Sequence, residues 1–255
     1  MAPKLSSLTM FFPCYNEEAN VESTTLAALA AGQKVTDDLE VIIVNDGSKD
    51  RTGEIADRLA AIHPGVRAVH NRPNRGYGGA LQRGFREATK DWVFYTDGDG
   101  QFDLSELERL VPLAREDTIV SAYRLDRKDP LIRKINAFCW TSLVNVIFGL
   151  WLRDIDGAFK LYPQHLFDEI KIVSTGALID TEILARAKRL GYRIVQTGVH
   201  HYPRQAGQQT GANLKVICRA FKELFTLTPE IKRTTRRSAV IPLHAHSGTV
   251  VREIL

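Results

Sequence analysis

Four times between Leu8 and Ala114, a short apolar run of strand length gives way to a longer stretch with helical spacing of apolar residues. The strand-like runs are Leu8–Pro13, Glu40–Val44, Val66–His70 and Trp92–Thr96. The helix-like stretches are Glu17–Ala31, Asp50–Ile62, Gly78–Thr89 and Leu104–Ala114. Strands of four to six residues separated by helices of ten or more predict an α/β fold, a Rossmann-like and mostly parallel sheet with helices on both faces. At 255 residues, 44% hydrophobic and 25% charged, the chain suits one sizeable globular domain with a short appendage and not a disordered chain.

In such sheets ligands bind beyond the carboxyl ends of the strands, so the segments after each run are where chemistry is expected. Strand one runs into Pro13-Cys14-Tyr15-Asn16-Glu17-Glu18, and strand two into Asn45-Asp46-Gly47-Ser48-Lys49-Asp50. Strand three is followed by Asn71 and then Asn74-Arg75-Gly76-Tyr77-Gly78-Gly79, and strand four by Asp97-Gly98-Asp99-Gly100-Gln101. Acidic, amide and glycine residues thus fall on one sheet edge, which points to a nucleotide site. Asp97 and Asp99, two positions apart behind a buried strand, can approach a hard divalent cation that bridges a diphosphate. Alone the pair could be an Asp-Gly turn. Asp46 either starts a turn and helix or accepts hydrogen bonds from a base or ribose. The Gly76–Gly79 segment has the makings of a phosphate cradle at a helix start. It fits neither the dinucleotide fingerprint, because Leu81 stands where the third glycine belongs, nor a P-loop, which needs Gly-Lys-Ser/Thr.

The second half is less regular. Thr118–Tyr123 reads as a fifth strand, Arg124–Lys134 as a charged loop, and Ala158–Tyr162, Thr181–Leu190 and Arg193–His200 as strand, helix and strand. Asn213–Phe225 reads as a helix, and the tail after Pro229 shows no pattern. Three cysteines without CxxC spacing argue against a zinc site or a disulfide framework and suit a reducing cytoplasm. No long apolar h-region of a signal peptide is evident near the N-terminus. From Arg186 to Arg237 there are twelve Lys or Arg and two acids, a bias that suits an anionic membrane, a diphosphate or a nucleic acid, or merely a solvated face. Ile135–Leu152 carries no charge over eighteen residues. Ser142, Asn145 and Gly149 give it a polar stripe, as for a helix lying in a membrane interface, and Trp140 and Trp151 suit that depth. A core helix is the competing reading. His200 and His201 point to opposite strand faces, so packing is expected of them and not a shared metal.

Taken together these segments resemble the family-2 inverting glycosyltransferases of the GT-A fold, and among them the dolichol-phosphate and polyprenyl-phosphate mannosyltransferases. To the segments above the resemblance adds Arg51-Thr52, Tyr123-Arg124, Arg153-Asp154-Ile155-Asp156-Gly157-Ala158-Phe159-Lys160, and His201-Tyr202-Pro203-Arg204 with Gly207 and Thr210. It covers roughly residues 7–228. The domain boundaries expected are a catalytic domain over 1–228, with an amphipathic interface segment at 131–152, and a basic tail over 229–255. The resemblance implies that Pro13, Tyr15, Asn16, Glu17, Asp46, Gly76, Asp97 and Gly98 hold the nucleotide. Asp97, Asp99 and Gln101 would hold Mg²⁺ or Mn²⁺, and Arg124, Arg133 and Arg204 would receive an acceptor phosphate. The catalytic set so implied is Asp97, Asp99, Arg124, Arg133 and Asp156.

Two departures stand out. Asn45 replaces the first Asp of a Val-Asp-Asp-Gly-Ser motif, and Gly207–Gly211 lacks the Ser-Lys pair that closes over the diphosphate in relatives. Arg204 is the candidate substitute for that charge.

The implied activity moves a hexose from a GDP-mannose or UDP-glucose type donor to a polyprenyl phosphate. A hydroxyl acceptor would need a carboxylate base, for which Asp154, Asp156 and Asp180 are candidates. A phosphate acceptor is already an anion, and the cations Arg124, Arg127, Lys128, Arg133 and Lys134 after strand five favour it. Transfer to a saccharide or protein hydroxyl is the alternative, and a non-catalytic sugar-nucleotide-binding or membrane-scaffold subunit the second. The expected setting is cytoplasmic and peripherally membrane-associated, at an anionic membrane surface. No nucleic-acid partner is expected, and a homo-oligomer is compatible with the sequence.

Overall fold

The central strand β1 (Leu8–Cys14) is apolar on both faces and buried almost throughout, as a strand covered by helices on both sides must be. It pairs in parallel with β2 (Leu39–Asn45) and with β4 (Trp92–Thr96), and β2 pairs in parallel with β3 (Val66–His70). The computed structural model describes residues 3–125, 131–204 and 214–235, with the backbone alone at 131–134 and 214–217. Helices α1 (Val21–Val35), α2 (Thr52–Ile62) and α3 (Gly76–Glu87) connect these strands. α1 buries Val21, Thr24, Thr25, Ala28, Ala31, Gly32 and Val35, one stripe at three- and four-residue spacing.

Among the described residues the sheet has seven strands in the order β3-β2-β1-β4-β6-β5-β7. β5 (Thr118–Leu125) and β7 (Arg193–His200) are parallel to each other, while β6 (Phe159–Pro163) runs antiparallel between β4 and β5. The sheet is therefore mixed and mostly parallel, as the alternation predicts. The remaining helices are α4 (Leu131–Phe148), α5 (Leu166–Glu169), α6 (Ile179–Arg189) and α7 (Leu214–Lys232). Phe11, Phe85, Tyr95, Tyr162 and Phe167 form a continuous aromatic cluster under β1, β4 and β6. Full burial of a ring such as Phe11 or Phe85 contributes about 1.5–3 kcal/mol.

Three expectations about elements are corrected. Leu104–Ala114 is not an α-helix but two 3-10 turns, Leu104–Arg109 and Val111–Leu113. Leu104, Leu107 and Leu110 are buried at a spacing of three, which one face of a 3-10 helix aligns, and Pro112 lacks the N–H an α-helix would use. The charged loop over Arg124–Lys134 is shorter than expected, because β5 runs to Leu125 and α4 begins at Leu131; residues 126–130, which include Arg127 and Lys128, lie outside the described residues. The last helix continues through Pro229 to Lys232. Arg186 of α6 holds it there, donating to Glu230 Oε1 at 3.0 Å and to Thr234 Oγ1 at 2.9 Å. Leu224 and Ile231 are buried on either side of the proline. Most of the expected tail, residues 236–255, and the Gly207–Gly211 segment lie outside the described residues.

Candidate active site

The chain runs outward from β1 through β2 to β3 on one side and then crosses back to β4 on the other, so the carboxyl ends of β1 and β4 border the point where strand order reverses. The tips of β1 and β2 are stitched together. Asp46 N–H donates to Cys14 O at 2.9 Å, Asn16 N–H to Ser48 Oγ at 3.0 Å, Lys49 N–H to Asn16 Oδ1 at 2.8 Å, and Glu17 N–H to Thr52 Oγ1 at 2.8 Å. Asn16 takes a left-handed backbone (φ 55°), which asparagine tolerates better than most residues. Pro13 is half-buried at the end of β1 and Tyr15 is exposed beside it. Asp46 is buried, and its Oδ1 accepts from Asn71 Nδ2 at 2.8 Å and from Arg75 N–H at 2.9 Å. One of its oxygens is thus spent on holding the loop that leads to Gly76 at the start of α3.

Gly98 decides where the acidic pair sits. A Cβ there would lie 2.7 Å from both Cys14 Sγ and Pro13 O, so only glycine lets this turn lie against the tip of β1. Asp97 and Asp99 are thereby brought beside Cys14–Glu17. Arg204 joins them from the segment after β7, ion-paired with Glu17 and 3.6 Å from Asp99 Oδ2. It stands at the β1–β4 end of the site, with Asp99 and not with Arg124. Gln101 donates its backbone N–H to Asp99 Oδ1 at 3.2 Å and its side-chain amide to Tyr202 O at 2.8 Å, tying the β4 loop to the segment that carries Arg204.

Asp97 forms no hydrogen bond or ion pair among the described residues. Burial first, then the charges of Asp99 and Asp180, push its carboxyl up to about 7 against the opposing pull of Arg124 and Lys160. Burial also raises Asp99. Two adjoining carboxyls held above their ordinary range are short of positive charge, and an oxygen-preferring divalent cation fits that deficit. Among the described residues no three His, Cys, Asp or Glu side chains converge as a complete metal site. A cation held here would need oxygens from a diphosphate or water as well, which is how Mg²⁺ is commonly bound beside phosphates.

Further along the sheet, Arg124 at the end of β5 forks onto Asp154, with Nε–Oδ2 at 2.7 Å and Nη2–Oδ1 at 2.9 Å. Asp180, at the start of α6, is buried against Lys160 Nζ at 2.7 Å and accepts the Tyr95 hydroxyl. Of the three candidate bases, two are therefore in ion pairs. Among the described residues Asp156 is not, and its Oδ1 is buried without a hydrogen-bond partner there. Burial, then Asp180 and Asp154, raise its carboxyl to about 6. The backbone of Arg133 lies in the first turn of α4, but its side chain and that of Lys134 are outside what is described.

The candidate set missed Lys160. Its Nζ donates to Gly157 O at 2.6 Å and to the Tyr95 hydroxyl at 3.1 Å, and it is wholly buried. A lysine inside the apolar run Ala158–Tyr162 was the available signal, since a strand buried on both faces offers no water for an ammonium group.

The uncharged segment turns a mainly apolar face outward. In α4, Thr141 and Val144 are buried, while Ile135, Phe138 and Val146 are exposed, as is Trp151 beyond the helix. Asn145 from the expected polar stripe closes the helix end, donating to Leu152 O at 2.8 Å and accepting from Leu152 N–H at 3.0 Å. Trp140 meets Phe221 of α7 edge to face at 5.3 Å, and α7 adds exposed Phe221 and Phe225 to the same neighbourhood. Among the described residues no helix is long and apolar enough to cross a membrane. His200 and His201 do part, as expected: His200 Nδ1 meets Glu106 at 3.0 Å and His201 packs edge-on to Phe102.

Residues 9–171 match the model of glycosyl transferase family 2. The chain is 32% identical over 207 residues to glycosyltransferase AglD of Haloferax volcanii, covering 77% of this chain but only 33% of that protein. It is 30% identical to the undecaprenyl-phosphate mannosyltransferase of Micrococcus luteus, over 77% of this chain and 84% of that one. It is 28% identical to the undecaprenyl-phosphate 4-deoxy-4-formamido-L-arabinose transferase of Pectobacterium atrosepticum, over 89% and 69%. Among solved structures it superimposes on glucosyl-3-phosphoglycerate synthase from Mycobacterium tuberculosis in complex with Mn²⁺ and UDP-glucose. There the TM-score is 0.65 at 19% identity, covering 89% of this chain and 79% of that one, a likeness of fold.

Proposed function

The chain belongs to glycosyl transferase family 2, with the GT-A fold, and on that premise we propose that it moves a hexose from a nucleoside diphosphate sugar to a polyprenyl phosphate, with inversion. The observation that carries the donor half is the Asp97–Asp99 pair, short of positive charge and set at the strand-order reversal beside Asn16 and Glu17. Asp97 and Asp99 would hold Mg²⁺ or Mn²⁺ with the diphosphate. That ion, when bound, supplies positive charge against the leaving nucleotide. Arg204, on Glu17 and Asp99, orients and neutralises the same diphosphate. Asn16, Asp46 and the tips of β1 and β2 form the nucleotide floor.

The acceptor half rests on Arg124 and on the names of the relatives. Asp154 uses two of the guanidinium N–H groups and fixes its plane, leaving others for a phosphate. Arg133 is the second cation assigned to that phosphate. A phosphate nucleophile needs orientation and charge neutralisation, not deprotonation. The apolar face of α4 and α7 suits docking on the membrane that holds the lipid acceptor, with the enzyme peripheral to it.

A second reading, transfer to a hydroxyl with Asp156 as base, is favoured by the unpartnered oxygen of Asp156 and its raised carboxyl. The two readings separate in one assay with labelled GDP- and UDP-hexoses, Mg²⁺ or Mn²⁺, and a short polyprenyl phosphate. Lipid-linked product is expected, abolished in Asp99→Ala and retained at tenth-strength or better in Asp156→Asn. No lipid-linked product with any donor would sink the acceptor assignment. Normal turnover by Asp99→Ala would sink the metal assignment.

A further inference from the structure

β3 ends at His70, whose register partner on β2 is Asn45, the position that departs from the Asp-Asp-Gly-Ser pattern. Asn45 Nδ2 lies 2.9 Å from His70 Nδ1, and Asn45 Oδ1 accepts Ser48 N–H at 3.0 Å. The second bond orients the amide: its oxygen faces Ser48, so its NH₂ faces the ring. An NH₂ group only donates, so Nδ1 must accept, and the ring proton sits on Nε2. Nε2 in turn lies 2.9 Å from Asp57 Oδ1 on α2, an acceptor for that proton. The chain then runs on into the loop at the tip of β1, because Asn16 N–H donates to Ser48 Oγ and Lys49 N–H to Asn16 Oδ1. Gly53 closes the space around the amide, since a Cβ there would come within 2.8 Å of Asn45 Nδ2. An aspartate at 45 would require a proton on Nδ1, whereas Asn45 as the donor keeps that nitrogen an acceptor and leaves the ring proton on Nε2, toward Asp57.

We infer that His70 is a positioning residue for the nucleotide-donor loop, acting through Asn45 to hold the Ser48–Lys49 turn that Asn16 grips. The inference rests on reading the tips of β1 and β2 as the donor floor. It makes the edge strand β3 a determinant of donor affinity.

Two substitutions separate the two ring nitrogens. In His70→Asn the side-chain oxygen sits where Nδ1 was and can accept from Asn45. In His70→Gln the amide reaches instead toward Asp57 and leaves Asn45 unmet. Native-state hydrogen exchange, with no ligand added, should show protection of the Ser48 and Lys49 amides falling about tenfold or more in His70→Gln and His70→Leu, and recovering in His70→Asn. With the full chain, Mn²⁺ and donor, KM for the donor should rise about tenfold in the first two variants. It should return to within about threefold in His70→Asn, with kcat and the acceptor KM changing less than about twofold in all three. Unchanged exchange in His70→Leu, or equal losses in His70→Asn and His70→Gln, would overturn the inference. If exchange responds as described while the unaltered protein binds no nucleoside diphosphate, the positioning stands and the donor assignment falls.

Discussion

Replacing Lys160 with methionine removes the cation that ties three parts of the site together. Its Nζ bonds Asp180 at 2.7 Å, Gly157 O at 2.6 Å and the Tyr95 hydroxyl at 3.1 Å. Those partners stand at the start of α6, on the loop of Asp156, and two residues before Asp97. Lys160 and Asp180 expose 0% and 3% of their side chains, so water cannot replace the lost partner. Breaking a buried pair from one side costs about 3–5 kcal/mol, a large part of a domain's total of about 5–15 kcal/mol. Methionine fills nearly the same volume, so the loss measures the uncompensated carboxylate and not a cavity. Removing both charges, in Lys160→Met with Asp180→Leu, should recover most of it, because no buried charge is then left alone. Urea unfolding at neutral pH, followed by fluorescence and circular dichroism, gives both numbers at constant m. A loss below about 1 kcal/mol in the single variant, or a double variant no more stable than the single, would refute the argument. The effect should reach the chemistry as well: Lys160 pulls the carboxyls of Asp97 and Asp156 down, so both should rise further without it.

Gly98→Ala forces a Cβ against Cys14 Sγ and Pro13 O; it should cost about 1–3 kcal/mol by calorimetry and weaken donor binding together with turnover. Metal-free protein should lose stability as pH rises from about 4 to 7. Folding lifts Asp97 to about 7 and Asp156 to about 6, above their unfolded value near 3.9. Their contribution is therefore full below about pH 4 and disappears as the folded carboxyls ionise. Mn²⁺ with a nucleoside diphosphate should flatten that slope in a thermal-shift series, and a midpoint that climbs across the range without metal would contradict the sign. Phe138→Asp with Val146→Asp, at positions 73% exposed, should leave the unfolding midpoint within about 0.5 kcal/mol of the parent yet reduce cosedimentation with anionic vesicles tenfold or more. Undiminished cosedimentation would remove α4 from the membrane contact.

Periodicity in the sequence is enough to specify much of the architecture. Apolar runs followed by helical spacing announced β1 to β4 and the helices between them, and the rule that ligands bind at strand ends singled out Asn16, Asp46, Asp97 and Asp99. Pattern served less well at Leu104–Ala114, where a spacing of three and Pro112 favoured 3-10 turns, and at Pro229, where packing by Arg186 outweighed a local breaker. What the chain order alone could not determine was pairing. Asp154, Asp156 and Asp180 look alike in sequence, yet Arg124 claims the first and Lys160 the third, while among the described residues the second has no ion-pair partner and keeps a buried oxygen without a hydrogen bond. Arg204 reaches Glu17 across 187 positions and His70 reaches Asn45 across 25. Secondary structure is written in short-range spacing, whereas the charge state and orientation of a side chain depend on neighbours that only the folded sheet brings within 3 Å.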